Sequence, residues 1–360
     1  MKGFSGPLLR SAGFVAIAAL LSSAETTRAQ GAPAISSASP AFREVTDETG
    51  RAVRVPQPVN RIVSLAPSLT ETVYALGLQD RLVGDTDYCD YPADAQKKTK
   101  VGGGISPSLE QIAALHPDIV LVTKGFNRLE TVHALDKLGI SSYATDPHTV
   151  NDIITSLKKL ADLLGVPEAG ATVSTEMEHQ LTILQQRLAS SPAKRVLFVV
   201  WHQPLISVGK DTFIADALRR AGAISIVNSE QNWPQVNLEE VARIQPDFLV
   251  FAASHSEAVP STVEALSALP AWSILDAVNN RRYAVISDAV NRPAPRIVVA
   301  IEDLARQLHP DAFAEKPESG KGKIEKEITP RNQASLAQSF LLLPDLRKDT
   351  ADCGGRACAR

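Results

Sequence analysis

Three aromatic residues and one charged pair carry the most specific chemistry in this sequence: Tyr88, Trp201, Trp233, and Asp288 with Arg292 four positions later. Each follows an apolar run, so each is expected in a loop leaving the carboxyl end of a strand, where open α/β sheets meet their ligands. Flat aromatic faces with a few orienting polar groups suit non-covalent capture of a large, planar, partly apolar molecule. Aromatics make up only 5% of the chain, so two of its three tryptophans in such loops is an enrichment. Taken singly, each could equally pack its own loop down.

Glu110 and Glu239 form a second pattern. Each stands directly after a cap and a leucine, Ser108-Leu109 and Asn237-Leu238, at the start of a short helical stretch. The helix dipole alone favours a carboxylate there. Their matched settings also allow symmetric contacts with a two-fold partner. Catalytic constellations are lacking: there is no Gly-x-Ser-x-Gly elbow, His-Glu-x-x-His pair, phosphate loop or dinucleotide fingerprint. Ser156 and Lys159 make a Ser-x-x-Lys, but mid-helix on a face expected to be solvated. The seven histidines show no metal-ligand spacing. His202, beside Trp201, is the one that could touch a metal centre, though a plain surface histidine is the stronger reading. The expectation is a binding protein rather than an enzyme, with no metal site and no cofactor of its own.

The elements that must hold these residues are organised around one long helical stretch, Pro167 to Ser190. There Val173, Met177, Leu181, Leu184 and Leu188 recur at steps of four, four, three and four. Pro167 fits its first turn, and Ser190-Ser191-Pro192 ends it. On either side the chain repeats itself, SLEQIAALHPDIVLV over 108–122 and NLEEVARIQPDFLVF over 237–251. Both read cap, Leu, Glu, short amphipathic helix, Pro-Asp, then apolar strand. Strands alternating with helices across residues 61–308 predict mostly parallel sheets covered on both faces. The fold class is therefore α/β, with two lobes joined by one long backbone helix: an N-terminal lobe over 42–166, the helix over 167–190 and a C-terminal lobe over 194–310. Arg43 to Val55 reads as two short edge strands around a Glu48-Thr49-Gly50 turn.

Bulk properties agree. A chain of 360 residues with 44% hydrophobic and 21% charged content is long enough for two cores. A formal net charge of −3 without a basic cluster argues against nucleic acid. Lys2 and Arg10, an apolar run from Ala12 to Leu21 and small residues up to Ala29 read as a secretory signal over 1–29. With no cysteine there to carry a lipid, a soluble periplasmic protein is expected, followed by a linker over 30–41. Residues 315–360 read as a disordered tail. Cys89 reads as a small, partly buried thiol, and no pairing is expected of Cys353 and Cys358 in the tail.

The order RIVSLAPSLTE, DYCDYP, SLEQIAALHPDIVLV, the long helix, WPQVNLEEV and SDAVNRPAPR resembles the class III periplasmic binding proteins of the cobalamin and iron-chelate class, over about residues 42–310. The resemblance implies a monomeric receptor that captures a small-molecule metal chelate between its lobes and passes it to an inner-membrane ABC permease dimer. It implies that Tyr88 and Trp233 hold a corrin, that Asp288 and Arg292 supply a polar pair, and that Glu110 and Glu239 meet permease arginines. The full ligand-facing set it suggests is Pro67, Tyr88, Gly104, Trp201, Leu205, Trp233, Asp288 and Arg292. The chain departs from the pattern where Gly102-Gly103-Gly104 replaces a corrin-contacting tryptophan, and where Trp201 and Leu205 stand near a displaced loop aromatic. Cobalamin or a related corrinoid is the expected ligand. Haem, with Tyr88 or His202 as axial ligand, and a ferric siderophore are the alternatives, as is a ligand-sensing module outside transport.

Overall fold

The computed structural model describes residues 41–253 and 266–314. The expected signal, most of the linker, the helix expected over 261–266 save its last residue, and the tail with Cys353 and Cys358 lie outside them.

The two copies of the repeat fold alike, and the reason is visible at their Pro-Asp steps. In the first, helix α2 (Leu109–Ala114) is followed by strand β5 (Ile119–Thr123). Asp118 accepts hydrogen bonds from the amides of Asn60 (2.7 Å) and Arg61 (2.8 Å), and Arg61 donates its guanidinium to Leu115 O. In the second, α7 (Leu238–Ile244) leads to β11 (Phe248–Ala253); Asp247 accepts from the Arg195 amide at 2.7 Å, and the Arg195 guanidinium reaches the carbonyls of Ile244 and Gln245. Each turn is closed by a left-handed residue before proline, His116 and Gln245, since proline cannot continue a helix. The aspartate thus seats each helix-to-strand turn against the start of the first strand of its lobe's parallel sheet.

Those first strands are β3 (Ile62–Ser64) and β7 (Lys194–Val199). The first sheet runs β4-β3-β5-β6 with β4 at Leu82–Gly84 and β6 at Ser142–Thr145; the second runs β10-β7-β11-β12 with β10 at Ala223–Ser225 and β12 at Tyr283–Ser287. Every pairing in both is parallel. Strand side chains alternate faces, so each sheet feeds two cores. Ile62, Ile119 and Leu121 point into one core, while Val63, Val120 and Val122 join Ile112 of α2 in another. In the second lobe Leu197, Leu249 and Val241 of α7 do the same.

The long helix is α5 (Pro167–Leu188), 22 residues and about 33 Å. It ends two residues before the sequence reading. Met177, Leu181, Leu184 and Leu188 are buried, and Val173 is partly so. Their core is continuous with side chains of both sheets' inner faces, from Ile62 and Leu121 to Phe198 and Val250. Helix α4 (Val150–Leu163), with a full Thr149/Asp152 capping box, lies so close to α5 that a Cβ at Gly170 would collide with Ala161. Strands β1 (Ala41–Thr46) and β2 (Ala52–Gln57) form the expected antiparallel edge pair.

Some local readings change. The loop expected over 201–209 opens as a hairpin, β8 (Trp201–His202) and β9 (Leu205–Ile206). Ser156 is not solvated: it is buried and donates to Glu48 Oε2 at 2.7 Å, because β1–β2 fold over that face of α4. Cys89 is fully rather than partly buried. Asp276–Asn279 and Pro310–Phe313 are short helices too brief to leave a periodic signal.

Candidate functional site

In the first lobe the strand order reverses direction of travel between β3 and β5, the kind of crevice where doubly wound sheets bind ligands. Asn127 ties it together. Its Nδ2 donates to Leu65 O (2.8 Å) and Gly104 O (2.9 Å), while its Oδ1 accepts from the Thr123 amide (2.8 Å). One side chain therefore fixes the ends of both strands and the glycine loop. Gly104 is buried beneath Phe126, and a Cβ there would meet that ring and sit 2.8 Å from Leu65 O. Gly104 accordingly presents backbone, not a side-chain wall. Pro67 is the first residue of helix α1 (Pro67–Ala75) rather than part of a free loop, and is half-buried. In the sequence Phe126 and Asn127 stand only as members of a loop, 123–127, expected to leave the carboxyl end of a strand, with nothing that marks either residue.

Tyr88 is carried by the loop after β4, which is rooted from below. Asp85 is fully buried and bonded to Lys100 Nζ at 2.8 Å; the same ammonium donates to Cys89 O and Ala95 O. Burial, only partly offset by Lys100, pushes the Asp85 carboxyl up to about 6. Burial likewise pushes the Cys89 thiol up, and its sulfur lies 3.2 Å from the hydroxyls of Thr70 and Thr86. Above this anchor Tyr88 is 62% exposed and lies against Gly103.

The second lobe offers Trp201 from the hairpin and Trp233 from the loop after β10, 56% and 51% exposed. Backbone bonds from Ser207 N to Pro234 O and from Val236 N to Leu205 O hold the two segments side by side. Trp201 Nε1 donates to Gln203 O at 2.8 Å, and its ring lies 5.8 Å from that of His202. Leu205 is a correction to the sequence-derived set. It is 6% exposed and packs in the second-lobe core, because on the inward side of a hairpin strand a leucine buries more favourably than it lines a wet cleft.

Asp288 and Arg292 meet, but in a larger network than a pair. Arg292 donates to Glu71 Oε1 (2.9 Å) and Asp90 Oδ1 (2.7 Å), and forms an ion pair with Asp288 (2.7 Å). Arg296 binds Glu71 with Nε and Nη2 at 3.1 and 2.9 Å, and lies 3.8 Å over the Tyr91 ring. Glu71 comes from α1 and Asp90 from the Tyr88 loop, so the cluster joins the two lobes directly. Burial works to lower the pKa of Arg292, but the Asp90 hydrogen bond and the Glu71 and Asp288 charges outweigh it and raise it further. Glu71 was missed in the sequence, where it is one glutamate in a short helix.

Glu110 and Glu239 are exposed at the matched starts of α2 and α7, with no ion pair among the described residues. Open cavities of about 540 and 420 Å³ lie elsewhere, beside Arg51 and Asp136 and beside Leu181 and Arg219. Neither touches the aromatic loops. Among the described residues no group of three His, Cys, Asp or Glu is placed to hold a metal ion, and no helix is long and apolar enough to cross a membrane.

Residues 62–289 match a periplasmic binding protein family. The chain is 32% identical over 253 residues to a vitamin B12-binding protein of Yersinia pestis, covering 70% of this chain and 87% of that one. Among solved structures it is similar to the periplasmic vitamin B12-binding protein of Vibrio cholerae, with 27% identity, a TM-score of 0.62 and coverage of 72% of this chain and 99% of the other. It is similar also to a periplasmic heme-binding protein of Pseudomonas aeruginosa, with 25% identity, a TM-score of 0.64 and coverage of 70% and 93%.

Proposed function

The chain belongs to a periplasmic binding protein family, and from that premise we propose that it captures cobalamin or a related corrinoid between its lobes and delivers it to an inner-membrane ABC permease. Its family consists of binding proteins, not enzymes. The observation that carries the ligand reading is the exposure of Tyr88, Trp201 and Trp233 on loops leaving the carboxyl ends of both sheets. Large aromatic surface left open in this way is costly unless a ligand covers it, and a planar macrocycle with bulky faces covers several rings at once. Export to the periplasm through the signal over residues 1–29 belongs to the same proposal. So do work as a monomer and the lobe boundaries at 42–166 and 194–310.

Titration of the purified protein with cyanocobalamin, haem and a ferric siderophore tests this. Cobalamin is expected to bind with sub-micromolar affinity, about −8 kcal/mol or better. Millimolar cobalamin binding beside tight haem binding would instead assign the cleft to haem, with Tyr88 or His202 toward the iron. Within the site, Trp233→Ala is expected to lose about 2 kcal/mol of cobalamin affinity, since a desolvated aromatic wall is a typical hot spot. Fluorescence titration of the folded variant reads this directly, and undiminished affinity would place Trp233 on the rim.

A further inference from the structure

We propose that the ring of Phe126 contacts the ligand together with that of Tyr88, the two rings being supported on the adjacent glycines Gly103 and Gly104. The inference rests on the reading of the cleft as a receptor for a flat metal chelate, and adds a binding residue to it.

The placement follows from loops that meet at the carboxyl ends of the first sheet. Leu65 follows β3, Thr123 ends β5, and the Tyr88 loop leaves β4. Asn127 binds Leu65 O, Gly104 O and the Thr123 amide, while the Phe126 amide donates to Thr123 O at 3.3 Å. The backbone that carries the ring is therefore fixed at the crevice between β3 and β5. A Cβ at Gly104 would collide with Phe126 Cε1 and stand 2.9 Å from its Cζ, so the far edge of the ring lies on this glycine. Any other residue there would lift the ring away. On the neighbouring residue, a Cβ at Gly103 would stand 3.6 Å from Tyr88 Cε2, and the Asp87 amide joins the Tyr88 loop to Gly102 O at 3.1 Å. Consecutive Cα atoms are a fixed short step apart, which brings the two ring edges within about 13 Å of each other.

Phe126 does not pack into a core. It is 36% exposed, belongs to none of the three hydrophobic clusters, and makes no ring pair or cation contact among the described residues. A benzene ring has neither donor nor charge, so it recognises apolar surface, and its flatness suits a planar macrocycle. Tyr88 alone would give the first lobe a single ring. Two rings on adjacent glycines touch separate parts of one broad ligand, so Phe126, from another strand's loop, supplies the wall that Gly104 lacks. Since phenylalanine cannot ligate a metal, its contribution is the same in kind for a corrinoid and for haem.

The test titrates cyanocobalamin and haem, separately, into the intact protein and into Phe126→Ala, Phe126→Leu and Phe126→Tyr, with urea unfolding of each variant alongside. Whichever chelate the intact protein binds tightly is expected to bind Phe126→Ala about tenfold more weakly or worse. The unfolding midpoint should move little, because no core loses a side chain. Phe126→Leu keeps an apolar cover over Gly104 without a flat ring, and is expected to regain no more than about threefold; Phe126→Tyr restores the ring and most of the affinity. If Phe126→Ala does not fold, the difference between Leu and Tyr decides alone. Undiminished affinity of Phe126→Ala overturns the inference. So does full recovery in Phe126→Leu, which would leave the ring as a cover for the backbone beneath it; in both cases the corrinoid reading stands. Tight haem binding in place of cobalamin, weakened by the same variants, overturns the corrinoid reading and supports the contact with Phe126.

Discussion

Glu71→Ala is expected to cost about 3 kcal/mol of folding stability, a large share of the 5–15 kcal/mol typical of a folded protein. The carboxylate is nearly enclosed and holds two arginines from the other lobe. Without it Arg292 keeps Asp90 and Asp288, but Arg296 is left with Asp288 at 3.7 Å and the Tyr91 ring. The loss comes from a buried charge deprived of its counter-ion, not from the worth of a pair that had already given up its hydration. That distinction can be measured. Urea unfolding should show a lower midpoint at unchanged slope for Glu71→Ala. Joint replacement by Glu71→Met and Arg296→Leu should recover most of the loss, since apolar side chains of similar volume often substitute for a buried ion pair without penalty. A double variant as unstable as the single would mean that packing around α1, and not charge, sets the cost.

Reversal of both exposed glutamates, Glu110→Lys with Glu239→Lys, is expected to abolish uptake by the reconstituted importer while leaving ligand affinity within about threefold, well under the 1.4 kcal/mol of a tenfold change. The two acids occupy equivalent positions on α2 and α7, the one pair of helices that the internal repeat duplicates. A permease built from two like halves can therefore offer each the same basic contact. Their surroundings differ: Glu240 next to Glu239 is tied to Arg243 at 2.6 Å, and Gln111 replaces that acid in the first lobe. Complementary surface charge acts mainly on association rate and is weakened by salt. Uptake by single variants should accordingly start lower and fall less steeply with ionic strength than that of the intact protein. Vesicle uptake and ligand titration on the same double variant check the main expectation. Normal uptake would leave both residues as acids favoured only by the helix dipole, and lost ligand binding would place them in support of the cleft.

Much of this architecture is local in origin and was legible as such. The four-four-three-four spacing from Val173 to Leu188 dictates a helix with one buried stripe, and the capping box at Thr149 fixes where α4 begins. The repeated Pro-Asp steps dictate two like units, since proline ends each helix and aspartate can bond the backbone nearby. Alternation of strand and helix dictates parallel sheets, and with them the loops that carry Tyr88, Trp201 and Trp233. All of these rest on interactions within a few residues or on periodicity that survives in one dimension.

What the tertiary structure alone decided are the contacts made across long separations. Glu71 meets Arg292 and Arg296 at distances of 221 and 225 residues along the chain, and nothing near Glu71 in sequence marks it as buried. Arg292, expected from its loop to face a ligand, is engaged by three acids once the lobes are side by side. Asn127 binds Leu65, 62 residues away, because β3 and β5 become neighbours only in the folded sheet. Leu205 turns inward because a two-residue hairpin strand sets its face, and a hairpin that short has no periodicity to read. Side-chain type and spacing determine which elements form and which loops leave the carboxyl ends of the strands; whether a polar side chain in such a loop is free to bind depends on charges that only folding brings within reach.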